Sequence, residues 1–208
     1  MLPLTEYFRT VPGAISGEDR DRLLGACAAG SMSATGRAVP RAFRKASRRG
    51  LPPRLHDIRD RVVEIALREY AELPVAEASW EPGRVEAQLT RSGDGEFYRP
   101  HFDNGRGTHP RIGLRAVTYI VYLGERAYGG GALRLHPTRP MPRHIGGHRI
   151  LVGRKVPGEP VEVEPEDGTL VVFPSWVLHE VSPVTLPGDP WKGGRFTLNG
   201  WVGRTRNF

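Results

Sequence analysis

The chain contains a single cysteine, Cys27, among its 208 residues. One thiol cannot form an internal disulfide, and zinc sites built from thiolates need several. Lysine is also scarce, because Lys45, Lys155 and Lys192 are the only three and arginine supplies the rest of the positive charge. The scarcity of cysteine excludes a disulfide-stabilised fold and a cysteine-rich zinc module.

Long hydrophobic runs are missing as well. The longest strongly apolar stretch, residues 116–123, is far shorter than the roughly 20 residues that a membrane-spanning helix needs. Residues 1–13 lack the apolar core of a secretory signal. These absences predict a cytoplasmic protein with no membrane partner.

The first 80 residues are predicted to be helical. Ser16, with Asp19 three residues later, resembles a helix-capping pair and predicts a helix to about residue 29. Apolar residues at helical spacing predict a second helix over 53–73: Leu55, Ile58, Val62 and Ile65. The segment 31–50 is polar and weakly patterned, and we predict it to be a loop.

From residue 84 to residue 203 the pattern changes to short runs of β-forming residues bounded by glycine and proline. The predicted strands are 85–91, 115–123, 132–136, 160–164, 169–173, 177–181 and 195–202. The order of elements predicts a single domain, 1–208, in which a β-sandwich or barrel carries the N-terminal helices on one sheet. Segment 137–158 is predicted to be a long inserted loop, forming a mobile flap near the barrel mouth.

Positive charge is concentrated in two segments of this chain of net charge +7. Residues 37–49 and 139–155 hold many arginines and no acidic residue. Two interpretations stay open: solvated arginine-rich loops, or surfaces that attract an anionic partner such as an acidic substrate.

Two histidines and one carboxylate are the candidate metal ligands. His101 and Asp103 are two residues apart, so on an extended segment both side chains lie on one face. His179 completes the set, and two histidines with one carboxylate form a facial triad typical of Fe(II). A surface His–Asp pair with an unrelated core histidine is the structural alternative.

A fourth candidate, Arg195, begins a strand whose alternation predicts one polar face. The residues on that face are Arg195, Thr197, Asn199 and Trp201. An arginine that lines a polar cavity can hold a carboxylate through two parallel hydrogen bonds.

These residues and their flanking segments resemble the 2-oxoglutarate and Fe(II)-dependent oxygenases, in the prolyl 4-hydroxylase-like branch. The matching segments are 93–104, 115–123, 129–134, 168–184 and 195–201. The resemblance implies a mainly β, jelly-roll (cupin-like) double-stranded β-helix, with Fe(II) as cofactor and 2-oxoglutarate and O₂ as cosubstrates. It further implies hydroxylation of a C–H bond of an amino-acid residue, with peptidyl proline as the first candidate and succinate and CO₂ as co-products.

The resemblance also implies a role for each site residue. His101, Asp103 and His179 would be the catalytic iron ligands, and Arg195 with Tyr122 would bind 2-oxoglutarate. Tyr98 and Trp201 would lie near the substrate. Two features depart from the family pattern: Arg91 or Ser92 stands where a tyrosine is common, and residues 186–194 lengthen the gap between His179 and Arg195.

Other functions stay open at this point. A hydroxylase of a free or carrier-bound amino acid shares the same motifs. Oxidative demethylation of nucleic acid is disfavoured, because Trp201 stands where the relatives that do this have a second arginine. Halogenation is disfavoured by Asp103. A cupin-like binding module without chemistry is the non-enzyme alternative.

Overall fold

The structure is a computed structural model that describes residues 2–34, 42–77, 80–105, 110–145 and 147–205. Its helices are α1 (Gly17–Ala29), α2 (His56–Ala71) and the single turn α3 (Pro110–Gly113), with 3₁₀ turns at Leu4–Tyr7, Pro53–Leu55 and Trp191–Gly193. The strands are β1 (Arg9–Val11), β2 (Ser33–Ala34), β3 (Arg44–Lys45), β4 (Ser47–Gly50), β5 (Pro82–Ser92), β6 (Phe97–His101), β7 (Arg115–Leu123), β8 (Gly129–Gly130), β9 (Leu133–Leu135), β10 (Thr138–Ile145), β11 (His148–Lys155), β12 (Val161–Val163), β13 (Leu170–Pro174), β14 (His179–Val181), β15 (Val184–Thr185) and β16 (Arg195–Arg204).

Both predicted N-terminal helices are present. The Ser16 hydroxyl accepts a hydrogen bond from the Asp19 backbone N–H at 3.1 Å, which caps α1. A 3₁₀ turn leads into α2, whose buried face repeats at helical spacing: Ile58, Val62, Ala66 and Tyr70. No helix within the described ranges is both long and apolar enough to cross a membrane.

Two facing antiparallel sheets form the body of the molecule. Among the described residues, the larger sheet has the order β1-β13-β7-β16-β5-β4-β2 and the smaller one β12-β9-β14-β6-β3. Helices α1 and α2 pack on the outer face of the larger sheet. This arrangement confirms the predicted double-stranded β-helix with helices on one sheet.

Strand β7 separates two hydrophobic cores by simple alternation. Val117, Tyr119 and Val121 pack in one cluster with residues of α1 and α2. Ile120 and Tyr122 pack in the other, between the sheets. Because side chains alternate along a strand, one sequence run serves the helices on one side and the inner cavity on the other.

Segment 31–50, predicted as a loop, contributes three short strands instead. β3 pairs with β6 in the smaller sheet, and β4 pairs with β5 in the larger one, so the chain crosses between the sheets here. The prediction was wrong because these strands are short and rich in arginine, and they carry no apolar alternation. Residues 35–41, with Arg37 and Arg41 of the first basic segment, lie outside the described residues.

Segment 137–158 is a regular β-hairpin, which corrects the prediction of a loop. β10 and β11 pair antiparallel from Thr138↔Lys155 to Ile145↔His148. Pro140 and Pro142 concealed the strand pattern, yet proline is tolerated in a two-stranded ribbon whose strands each have a free edge. A small apolar cluster anchors the hairpin: Leu114, Ile150 and Val152.

Candidate active site

The three predicted metal ligands meet between the two sheets. His101 ends β6, His179 begins β14, and the strand register places them opposite each other. The Asp103 carboxylate lies 3.5 Å from His101 Nε2 and 3.3 Å from His179 Nε2. The candidate ligand atoms of all three lie within 4.8 Å of one another.

Backbone carbonyls orient both imidazoles. His101 Nδ1 lies 2.8 Å from the Arg99 carbonyl oxygen, and His179 Nδ1 lies 2.9 Å from that of Val177. A carbonyl only accepts, so each Nδ1 carries a proton, and Nε2 is the ring nitrogen that faces Asp103. Carbonyl partners of this kind fix metal-binding histidines in the required tautomer.

Buried hydroxyl groups hold the Asp103 carboxylate. Thr118 on β7 donates to Asp103 Oδ2 at 2.9 Å, and Thr118 Oγ1 lies 3.0 Å from Ser175 Oγ. Burial acts to raise the pKa of Asp103, but the neighbouring histidines outweigh it and hold that pKa well below its ordinary range. The carboxylate is therefore ionised at neutral pH.

The imidazole of His101 is neutral under the same conditions. Burial, followed by electrostatic repulsion from the nearby imidazole of His179, lowers the pKa of His101 to about 4. A carboxylate with two imidazole Nε2 atoms is the donor set of non-haem Fe(II) sites and leaves coordination positions for other groups. The residues present therefore fit the iron ion that the resemblance implies.

Arg195 and Tyr122 lie together in the same cavity. Arg195 is 3% exposed, its Nε donates to the Gly131 carbonyl at 2.8 Å, and its guanidinium carbon lies 5.1 Å from the centre of the Tyr122 ring. Arg195 Nη2 is buried and has no hydrogen-bond partner among the described residues. The buried Tyr122 hydroxyl has no polar neighbour there that meets strict hydrogen-bond geometry, although it interacts with the adjacent Arg195 guanidinium.

Buried donors that are left unsatisfied, or satisfied only by each other, are costly unless a ligand accepts their hydrogen bonds. Burial raises the pKa of Tyr122, which the nearby charge of Arg195 only partly opposes, so the hydroxyl keeps its proton. A guanidinium and a phenol that both donate match a carboxylate. The pair therefore fits one carboxylate of 2-oxoglutarate.

Tyr98 and Trp201 line the cavity too. The Tyr98 ring stacks on the His101 ring with 3.5 Å between centroids. Trp201 is held by Arg115, whose guanidinium carbon lies 3.8 Å from the ring centroid and which pairs with Glu86 at 2.9 Å. Both aromatic rings are fixed in the cavity, and their role towards a substrate stays a prediction.

Sequence reasoning missed three residues that shape the site: Arg44, Thr118 and Ser175. Arg44 belongs to the first basic segment, yet it is 7% exposed, lines the cavity, and lies 4.6 Å above the Tyr98 ring. Alternation along β7 could have identified Thr118, because it shares the inner face with Tyr122. No sequence pattern marked Arg44, because its position depends on the pairing of β3 with β6.

Arg91 faces away from this chemistry. Its Nη2 donates to Asp189 Oδ1 at 2.6 Å and its Nε donates to the Trp191 carbonyl at 3.2 Å. Ser92 lines the cavity instead. The extra residues 186–194 are thus anchored to β5, and β16 begins directly after them at Arg195.

Comparison with known proteins points in one direction. A family model described as the 2OG-Fe(II) oxygenase superfamily matches residues 87–203. An uncharacterized PKHD-type hydroxylase from Synechocystis is 31% identical over 130 residues, which cover 62% of this chain and 39% of the relative. The matched stretch therefore spans about two fifths of that relative's length.

Solved structures share the fold. A prolyl-4-hydroxylase from Pseudomonas putida aligns with a TM-score of 0.64 at 21% identity, covering 97% of this chain and 95% of that one. A prolyl hydroxylase from Trichoplax adhaerens, in complex with a hypoxia inducible factor peptide fragment, aligns with a TM-score of 0.66 at 16% identity, covering 96% and 84%.

Proposed function

The chain belongs to the 2OG-Fe(II) oxygenase superfamily, and from this membership we propose that it hydroxylates a C–H bond of an amino-acid residue, with peptidyl proline as the first candidate. Membership confirms the expected cofactor and cosubstrates: Fe(II), 2-oxoglutarate and O₂. The proposal also includes succinate and CO₂ as the co-products and a role for each site residue.

One observation carries the proposal: a cavity that contains both a metal triad and a carboxylate site. His101, Asp103 and His179 supply the triad, and Arg195 with Tyr122 supplies the two donors for a carboxylate. A binding module that had lost its chemistry would have no need of both. The combination therefore supports an enzyme over a cupin-like module.

Each residue has a defined task in this proposal. His101, Asp103 and His179 would hold Fe(II), which supplies the activation of O₂ for C–H hydroxylation. Thr118 and the Arg99 and Val177 carbonyls keep these ligands oriented. Arg195 and Tyr122 would fix the far carboxylate of 2-oxoglutarate, which orients it towards the metal.

The substrate assignment rests on the relatives and on the cavity. The relatives in the comparisons are a PKHD-type hydroxylase and prolyl hydroxylases, one of which is seen with a peptide. In the cavity of this chain, Tyr98 and Trp201 offer aromatic walls for a small saturated ring or alkyl group. Arg44, which also lines the cavity, favours a substrate with oxygen acceptors or negative charge.

The alternative substrates are free amino acids, carrier-bound amino acids and alkylated nucleic acid. A single assay distinguishes them from a prolyl peptide. The protein would be incubated with Fe(II), 2-oxoglutarate and a panel of prolyl peptides, amino acids and methylated oligonucleotides. Succinate release and the mass of the candidate substrate would be measured together. We expect a prolyl peptide to stimulate succinate release and to gain the mass of one oxygen atom.

Arg195→Met serves as the matched control variant in this assay, because it removes the proposed contact to 2-oxoglutarate and leaves the metal triad intact. Stimulation by free amino acids alone would move the assignment to a tailoring hydroxylase. Demethylation of the oligonucleotide with no effect of any peptide would refute the proposed substrate class.

A further inference from the structure

The hairpin β10–β11 presents five basic side chains to solvent. These are Arg139, Arg143, Arg149, Arg154 and Lys155, all exposed. Within the described ranges, none of the five takes part in an ion pair or a side-chain hydrogen bond. Residues 137–158 contain no acidic side chain that could neutralise them.

Most arginines elsewhere on the described surface are paired, whereas the exposed Arg54 is an exception with no ion pair within the described ranges. Six of them each lie within 4.0 Å of a carboxylate: Arg22, Arg61, Arg68, Arg84, Arg126 and Arg134. A general preference for arginine in this sequence does not explain the contrast, because such a preference would act alike on the paired arginines and on the hairpin arginines. The hairpin thus concentrates five basic side chains that have no protein partner within the part of the chain that the structure describes.

The strand register makes this charge unfavourable for the isolated hairpin. Arg139 lies directly opposite Arg154, and alternation places Arg143 on the same face. Like charges that face each other across two strands destabilise the pairing. A bound anion would remove this repulsion.

The hairpin is braced against the segments that carry the metal ligands. Asn104, next to Asp103, donates from Nδ2 to the Leu151 carbonyl at 2.8 Å. The Leu178 N–H, next to His179, donates to Thr138 Oγ1 at 3.1 Å. Gly153 lies so close to Phe102 that a Cβ there would be 2.3 Å from a ring carbon. The hairpin is therefore fixed to the backbone of the segments that carry the metal ligands, although none of its described residues lines the cavity.

We propose that hairpin β10–β11 is a docking surface for an extended acidic stretch of the polypeptide substrate. Four of the five side chains are arginines, whose planar donors suit carboxylates. Strands of eight residues are about 27 Å long at about 3.4 Å per residue, which matches a peptide segment better than a single anion. The hairpin has no phenylalanine, tyrosine or tryptophan on which the bases of single-stranded nucleic acid could stack.

The polypeptide nature of the partner rests on the proposed function, so the test measures binding without catalysis. Fluorescence anisotropy would follow a labelled glutamate-rich peptide of about eight residues, with no metal or 2-oxoglutarate added. The comparison probes are the same peptide with glutamine for glutamate, and a DNA duplex of equal net charge. Salt would be raised from about 0.1 M to about 1 M, which shortens the Debye length from about 10 Å to about 3 Å.

The test variant replaces Arg139, Arg143, Arg149 and Arg154 by glutamine. The control variant replaces Arg22, Arg61, Arg68 and Arg126 by glutamine, so it loses the same net charge from the paired set. We expect the hairpin variant to bind the acidic peptide at least about tenfold more weakly, and the control variant to bind it within about twofold of wild type. High salt should abolish the difference.

Equal weakening in both variants would reduce the effect to net charge and overturn the proposal. Tight binding of the duplex, with the two peptides bound alike, would overturn it in favour of a nucleic-acid surface. Because neither result depends on turnover, failure of the docking surface is distinguishable from failure of the hydroxylase assignment, which the succinate assay decides separately.

Discussion

Arg195→Met removes a buried cation whose Nη2 has no partner among the described residues and whose guanidinium lies beside the buried Tyr122 side chain. In the proposed complex, a carboxylate of 2-oxoglutarate satisfies both. Losing one partner of a buried, hydrogen-bonded charge pair costs roughly 2–5 kcal/mol. At about 1.4 kcal/mol per tenfold, affinity for 2-oxoglutarate should fall by about 30-fold to several thousand-fold.

Isothermal titration of 2-oxoglutarate into the Mn(II)-loaded protein measures this without turnover. Arg195→Lys should lie between wild type and Arg195→Met, because it keeps the charge but loses the Nε bond to the Gly131 carbonyl and the planar fork. Affinity for the metal should change little, since Arg195 is not among the triad side chains.

Arg134→Met is the control, because it removes an exposed arginine that pairs with Glu162 on the smaller sheet. A loss of less than about threefold in Arg195→Met, or an equal loss in Arg134→Met, would refute the reasoning. Unfolding of Arg195→Met with normal affinity in the folded fraction would make Arg195 a structural residue.

Three further predictions concern the surroundings of the site. Thr118→Val should weaken metal affinity by about 10- to 100-fold, because Asp103 loses the hydrogen bond that Thr118 donates. Metal titration checks this against Thr10→Val, which changes an exposed threonine of β1, and equal affinities would contradict it. Arg91→Met should release the loop 186–194 and weaken 2-oxoglutarate binding more than metal binding, which titration of both ligands measures; an unchanged ratio of affinities would contradict it. The free energy of unfolding of the metal-free protein should fall as the pH is lowered from 6.5 towards 4. The pKa of His101 is about 4 in the folded protein against an ordinary 6.5, so the unfolded chain takes up the proton first. His101→Gln should flatten this pH dependence in thermal denaturation, and an unaltered slope would refute the reasoning.

Sequence patterns predicted the residues that regular alternation controls. On β16, alternation assigned Arg195 and Thr197 to one face and Phe196 and Leu198 to the other, and the structure shows the first pair in the cavity and the second in the core under the helices. The start of helix α1 could also be predicted from the sequence, because a local hydrogen bond between Ser16 and Asp19 caps it.

Features that depend on long-range pairing could not be predicted. Arg44 reaches the cavity only because β3 pairs with β6, which lies about fifty residues further along the chain. The hairpin β10–β11 was missed because prolines and arginines on its strands conceal any period-two pattern, whereas its backbone pairing is continuous. Local composition records neither of these interactions.

The most direct test of the central claim is the binding of Fe(II) by wild type and triad variants, measured by anaerobic equilibrium dialysis with metal analysis. We expect one ion per chain in wild type and loss of binding in Asp103→Ala and His179→Ala. His136→Ala, which removes a buried histidine paired with Glu180 outside the triad, should bind as wild type does. Iron binding by Asp103→Ala with unchanged affinity would contradict the account.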